Sequence, residues 1–430
     1  MKFTAVGDAL IQQPYEVGYE GFAPIKEFIM RGDVRFVNLE TTLNKPEDVY
    51  GNQYSGGSYL RTDPKSLDTT LDYGFNMLSF NNNHALDFGF EGLLSTLDIL
   101  DANGIPHTGV GRDLREASRP VYLETENGKV AMISVCSSFS APMIAGNASP
   151  AFKGRPGING LRVKMHLVVT PEQLKAVQEI GEQSGVNARH IINRKDGYTP
   201  ELPDGMAEID TIKFRVGEKA DTIYEIDARD IARVKATIAE AKANADYVFV
   251  SLHTHQITGG HKENVPAFLT DFSHMCIDEG AHAVIGHGPH LVRGVEIYKD
   301  RPIFHSLGDF ILQLNSIPCA PADFYENYGL VGDEGMEKLL DTRSEGGKKG
   351  LMYDRKMMET FIPYWEMEDG KLTRLELLPV DLGYDLEVKH PLRGVPVATA
   401  DMSCMERLKS LSAELGTKMH FEDGKVVVDL

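Results

Sequence analysis

The sequence predicts an α/β fold built on a mostly parallel sheet. Two observations predict it. Short apolar runs alternate with helix-like segments over the first 136 residues and again from residue 228, the rhythm from which parallel sheets are wound. Five of those runs also end on residues that can bind a metal. They are Phe3–Val6 before Gly7-Asp8, Val34–Val37 before Asn38-Leu39-Glu40, and Phe75–Phe80 before Asn81-Asn82-Asn83-His84. Tyr247–Leu252 precedes His253-Thr254-His255, and Ala283–Ile285 precedes Gly286-His287-Gly288-Pro289-His290. In α/β sheets ligands bind beyond the carboxyl ends of the strands, so five such endings can converge on one point.

The elements follow in order. A strand at 3–6 leads to a helix near 24–31, where Pro24 suits the first turn. A strand at 34–37 opens a polar loop, 44–62. A short helix is expected near 64–72 with Asp63 as N-cap, then a strand at 75–80. The helix near 90–103 stops at Asn103-Gly104, a C-cap signal. Strands 120–125 and 129–135 read as a hairpin turning at Asn127-Gly128. Residues 137–226 break the rhythm: 141–160 is crowded with Gly, Pro and Asn, and 186–222 is polar with weak periodicity. This stretch reads as an elaboration over the site with one helix, 171–183, and no new core. A helix at 228–244, a strand at 247–252, a helix near 266–279 and a strand at 282–286 resume the pattern. Strands 292–298 and 303–307 follow, then an irregular charged segment, 313–349. Hairpin strands 358–368 and 371–380, a helix near 402–415 and a final hairpin complete the chain.

Composition bounds the function. The 430 residues are 42% hydrophobic and 25% charged, ordinary for a globular protein. The net charge of −19 argues against nucleic-acid binding, which needs a basic surface. An anionic substrate would need a local positive centre, which a metal ion supplies. Four well-separated cysteines without a Cys-x-x-Cys pair suggest free thiols in a reducing compartment. No leader is apparent, and no apolar run nears the roughly 20 residues of a membrane span. The expectation is a soluble, cytoplasmic protein.

A dinuclear centre needs oxygen and imidazole ligands around ions about 3.5–4 Å apart. Asp8, Glu40, Asn83, His253, His287 and His290 supply that mixture. Without thiolates the set suits two divalent ions such as Zn, Mn or Fe. His84 follows Asn83 and can face substrate as a proton donor. Asp87 can orient it, or cap the helix that begins near Phe88. His255 is a candidate substrate-facing imidazole. His305 reads as a core or supporting residue. No phosphate-binding glycine loop, nucleophile elbow or His-Glu-x-x-His helix is present.

Val-Gly-Asp (6–8), Asn-Leu-Glu (38–40), Asn-Asn-His-Ala-Leu-Asp-Phe-Gly (82–89), Gly-Val-Gly (109–111), Ser-Leu-His (251–253), Gly-His-Gly-Pro-His (286–290) and Ser-Leu-Gly-Asp-Phe (306–310) together resemble the bacterial capsule-synthesis CapA family, linked to poly-γ-glutamate. That family looks like a branch of the calcineurin-like metallophosphoesterases. The resemblance implies a four-layer α/β/β/α sandwich over residues 1–312, with an insertion at about 137–226. It leaves 313–430 as an irregular segment, hairpins and a helix packing on that domain. By analogy, Asp8, Glu40, Asn83, His253, His287 and His290 are ligands and His84 the catalytic imidazole. The chain departs from the broader phosphoesterases at three places: Asp8 is followed by Ala9-Leu10 instead of x-His, Glu40 replaces a bridging Asp, and an extra residue separates His287 from His290. His253-Thr254-His255 also replaces the family's His-Trp-Gly. The expected activity is hydrolysis of amide bonds in a glutamyl-polymer or peptide substrate by metal-bound hydroxide. The alternatives are peptide epimerisation through Cα proton abstraction, phosphoester hydrolysis, and a non-catalytic role in capsule polyglutamate synthesis.

Overall fold

The computed structural model describes residues 1–430. It is a mixed α/β structure with two compact units, Met1–Gly160 with Ala232–Leu430, and Leu161–Ile231. No helix is long and apolar enough to cross a membrane.

The larger unit contains a ten-stranded and a six-stranded sheet. In the first, Lys2–Leu10 pairs in parallel with Val34–Leu39, which pairs in parallel with Met77–Ser79. In the second, Tyr247–His253 lies parallel to both Gly128–Cys136 and Ala283–His287. These central strands are buried on both faces, which is why they read as continuous apolar runs. Both edges of the six-stranded sheet and one edge of the ten-stranded sheet are antiparallel, so the expectation of a mostly parallel sheet needs correction. The hairpin Glu359–Glu368/Lys371–Asp381 joins the large sheet antiparallel to Lys2–Leu10. Nothing in a hairpin's own sequence says which sheet edge it will join.

The two sheets share one apolar core. Phe3, Phe36 and Met77 from the first meet Phe249, Ile285 and Phe304 from the second. Trp365 sits among them, stacked on Phe3 at 5.3 Å between ring centroids. On the other face of the large sheet, Val37, Leu39 and Leu78 pack with helical Ile25, Leu67 and Leu93 in a second core. The helix Gly89–Ala102 buries Leu93, Leu97 and Leu100, one stripe at helical spacing.

Two strand boundaries and two segments differ from expectation. The first strand runs to Leu10, because Asp8, Ala9 and Leu10 find partners in the parallel strand Asp309–Leu312. The third is only Met77–Ser79. The 137–226 stretch is more structured than its composition suggests. Residues 163–169, 206–209, 212–216 and 221–226 form a four-stranded sheet in the smaller unit, beside helices Pro171–Ser184 and Ala188–Lys195. Ile212–Val216 has four exposed residues and one half-buried, so its alternation is too weak to read. Likewise 313–349 holds helices Ala322–Glu326 and Met336–Ser344.

One buried ion network ties the large sheet together. The Glu376 carboxylate is 0% exposed and accepts from Arg31 at 2.7 Å and Lys425 at 2.9 Å. Burial alone would raise its pKa; hydrogen bonds from Arg31 and Lys425 outweigh that and lower it to about 2. A depressed carboxylate stabilises the fold above its unfolded value and loses that contribution as pH falls through the folded one. Glu376→Gln should therefore cost about 2 kcal/mol at pH 7 in urea unfolding. Its deficit relative to wild type should shrink between pH 4.5 and pH 2. A deficit that stays constant over that window would exclude this linkage.

Candidate metal centre

The strand endings from both sheets meet at one buried point. Asp8, Glu40, Asp87 and Asp309 are each 0% exposed there. Asp8 is inside its strand, where the pairing register slips between Asp8 and Ala9. Gly7 permits this: a Cβ on it would lie 1.8 Å from the Gly308 carbonyl oxygen. The Asp8 amide donates to that same oxygen at 3.1 Å. Gly288, at φ +114, packs its Cα against the Thr254 backbone, where a Cβ would come within 2.7 Å. His290 adopts a left-handed φ of 61°, a conformation uncommon outside glycine and found at sites the fold over-determines.

Asp8 is well satisfied. Its Oδ1 accepts from Asn38 Nδ2 at 2.6 Å and its Oδ2 from the Gly288 amide at 2.7 Å. Its Oδ1 also lies 3.2 Å from His287 Nδ1 and 3.6 Å from His253 Nδ1. Burial pushes its pKa up, but His287 and His253 together hold it well below the usual carboxylate range. Ser251 Oγ sits 2.7 Å from His287 Nε2, leaving Nδ1 to face the cluster. The two Nδ1 atoms of His253 and His287 are 2.9 Å apart.

The second group gathers around the other nitrogen of His253. Its Nε2 is 2.7 Å from Asn83 Oδ1, 3.1 Å from His255 Nε2 and 3.7 Å from Glu40 Oε1. Asn83 Nδ2 donates to the Gly56 carbonyl at 3.0 Å, which turns its Oδ1 inward. Burial lowers the pKa of His253 to about 4, and burial also takes His255 well below its ordinary value. The third group is Asp8, Glu40, His290 and Asp309. His290 Nδ1 lies 2.9 Å from Asp309 Oδ1. Burial lowers His290, but Asp309 more than offsets this and its pKa rises. Burial lifts Asp309 to about 6 against the pull of His290.

Glu40 is the exception. Both its oxygens are buried without a hydrogen-bond partner. Burial, then repulsion from Asp8 and Asp309, raises its pKa well above the carboxylate range. Asp309 Oδ2 is likewise unpartnered. Buried carboxylate oxygens without donors are costly, and here they face imidazole nitrogens and an amide oxygen whose lone pairs converge. In three groups, Asp8/His253/His287, Glu40/His253/His255 and Asp8/Glu40/His290/Asp309, the ligand atoms lie within 4.8 Å of one another. A divalent cation fits such an oxygen and nitrogen donor set. Cys136 stands near, but burial raises its thiol pKa, and it joins none of these groups.

His84 stands at the edge. Its Nδ1 is 2.6 Å from Asp87 Oδ2 and its Nε2 is 3.8 Å from Glu40 Oε1. Asp87 does not cap the helix that follows. It accepts from the Gly56 amide at 2.9 Å and the Leu60 amide at 2.8 Å. It thereby fixes the 51–62 loop across His84. A Cβ on Gly56 would lie 2.5 Å from Asn83 Nδ2 and 2.6 Å from His84 Cε1. Beside them opens a cavity of about 330 Å³ lined by Asn83, His255, Phe139, Met143 and serines 55, 138 and 140.

All nine residues singled out in the sequence thus lie in or against this cluster. Four contributors carry no such role in the sequence reading. Asp309 follows an apolar strand as the other acids do, so the same strand-end rule reaches it. Asn38 and Ser251 are visible only through their contacts. Arg293 is fully buried and donates to the Gln256 and Lys262 carbonyls at 2.9 Å. It thereby anchors the loop after His255. His305 lies outside the cluster, 3.0 Å from Glu296.

Residues 2–314 match the family described as bacterial capsule synthesis protein PGA_cap, and the chain belongs to that family. An uncharacterized protein of Sinorhizobium fredii is 31% identical over 433 residues, covering 98% of this chain and 91% of its own. The PGA biosynthesis protein CapA of Bacillus subtilis is 20% identical, covering 86% of this chain and 66% of its own length. A probable polyglutamine synthesis accessory protein of Mycobacterium tuberculosis is 24% identical over 65% of this chain and 55% of its own. The chain thus spans two thirds or less of these last two relatives.

Gly7→Ala should lower stability by more than about 3 kcal/mol in urea unfolding, because the added methyl runs into the Gly308 backbone carbonyl. A loss under about 1 kcal/mol would mean that the two loops are not in the close contact described.

Proposed function

We propose that this member of the capsule synthesis family is a metal-dependent hydrolase acting on amide bonds of a glutamyl or peptide substrate. The observation that carries the reading is Glu40, a buried carboxylate with no donor to either oxygen, in a ring of imidazoles and acids. Asp8, Glu40, Asn83, His253, His287 and His290 would hold two divalent ions, with Asp309 and His255 completing the set. Ions bound there supply Lewis acidity and make a bound water acidic near neutral pH. We also read the two packed sheets and their helices as the four-layer α/β/β/α arrangement of metallophosphoesterases, with the chain beyond residue 312 built onto it.

The chain's own part is proton handling and positioning. Asp87 accepts the Nδ1 proton of His84, which presents Nε2 toward Glu40. A proton held on that Nε2 passes to the leaving amine nitrogen as the carbon–nitrogen bond breaks. Ser140 offers a hydroxyl to the substrate's amide groups, and Phe139 and Met143 form its apolar wall. The 51–62 loop limits access of bulk water. A second reading, a non-catalytic synthesis component that uses the pocket for binding, is favoured by the accessory role in the name of the Mycobacterium tuberculosis relative.

Elemental analysis of protein purified without chelators should find divalent metal, and chelation should lower the melting temperature. Absence of metal together with unchanged melting would favour the accessory reading. Asp309→Asn should weaken metal affinity tenfold or more, as changes to residues that support ligands do. In a cleavage screen on γ-linked oligoglutamate and peptides, His84→Ala should retain its metal and lose 10²–10⁴-fold in turnover, the range for general acid catalysis. Full turnover by that variant would remove His84 from the mechanism.

A further inference from the structure

A second concave region lies on the same unit, outside the metal cluster. It is a groove of about 890 Å³ walled by the loop after His255, the segment following Asp309, and residues 340–357. Five cationic side chains line it: Lys262, Arg343, Lys348, Lys349 and Arg355. Lys349 pairs with Glu345, and Arg355 pairs with Asp385 at 2.6 Å. The other three have no carboxylate partner. Lys262 and Lys348 are exposed. Arg343 is half-buried, lies over the Phe324 ring at 5.4 Å, and donates to Ser58 Oγ.

This is unusual for such an acidic chain. With 63 acids and 44 bases, cations do not lack partners for want of acids. The groove's own acids are also engaged. Glu345 is paired, and Asp354 accepts from the Lys356 amide at 3.0 Å. Neutral donors add to the cations: Asn315 has a buried amide nitrogen without a partner, and Tyr353 and Tyr384 line the wall.

The groove also adjoins the metal cluster. The Lys262 carbonyl accepts from Arg293, which also donates to the Gln256 carbonyl beside His255. Arg343 grips Ser58, two residues from Gly56, which touches His84. Leu314 and Asn315 follow directly on Asp309–Leu312.

We infer that this groove binds a carboxylate-rich chain, the flanking residues of a polyanionic substrate whose reacting bond lies at the metal cluster. Lys262 stands on one wall of the groove and Arg343 and Lys348 on another, an arrangement that suits charges strung along a chain. The inference rests on the proposed function only for the word substrate, since the groove can hold such a chain without turnover.

The test is fluorescence anisotropy of a labelled short γ-linked oligoglutamate, on protein as purified and after chelation. Binding should occur in both and weaken as salt rises. Lys262→Glu/Lys348→Glu should lower affinity at least tenfold, and Lys348→Glu alone severalfold. Lys418→Glu, which reverses an exposed lysine outside the groove, should change affinity less than twofold. Both groove lysines are exposed, so folding of these variants is expected and is checked by melting. Equal loss in Lys418→Glu would reduce the effect to net charge and overturn the inference. So would undiminished binding by the double variant, or a wild type that binds inorganic polyphosphate but no oligoglutamate. Failure to find turnover while groove binding persists would reject the hydrolase alone.

Discussion

The structure is organised by the cost of burying four carboxylates at the ends of two packed sheets. An isolated ionised carboxylate in a protein interior is unaffordable unless it is paired, hydrogen-bonded or neutralised. Three of the four are handled within the protein. Asp8 takes Asn38, the Gly288 amide and two imidazoles. Asp87 takes two backbone amides and His84. Asp309 takes His290 on one oxygen. Glu40 takes nothing. Its neighbours include other acids, acceptor oxygens, and the His253 and His255 imidazoles, whose pKa values burial lowers.

That imbalance is held in place by backbone approach. Gly7 lies against the Gly308 carbonyl, Gly286 against the His305 carbonyl, and Gly288 against Thr254. Each contact leaves no room for a side chain. Together they let strands from both sheets bring their ends to one point. The shared aromatic core around Trp365 holds the sheets at that spacing. The site's precision is thus a packing property, and its charge is what the packing confines.

This division explains how much is legible in the sequence. The central strands and most helices can be read because burial on both faces, or along one stripe, leaves a strong pattern in the residues. The grouping of Asp8, Asn83, His253 and His287 can be read because each lies at or just past such a strand. The small sheet within 161–231 escapes because its strands are short and largely exposed. Its helix Pro171–Ser184 matches the one expected at 171–183, and Thr170 caps it in a capping box with Gln173. The partners of Asp87 escape because backbone amides carry no sequence signature. Arg293 escapes because a buried arginine with carbonyl partners looks like any charged residue in a strand.

The same accounting separates a pocket kept for shape from one kept for chemistry. Most of the cluster's contacts serve structure as well. Asp87 ties down the 51–62 loop through two amides, and a serine or asparagine there would keep part of that work. Asn83 holds Gly56, and Arg293 holds the loop beyond His255. Once these are counted, His84 Nε2 and Glu40 are left over. The imidazole's far nitrogen makes no structural contact that the fold needs, yet Asp87 and Gly56 fix the ring so that this nitrogen faces Glu40. An oriented imidazole beside an unsatisfied carboxylate is the arrangement that the proposed proton transfer at a cation site requires.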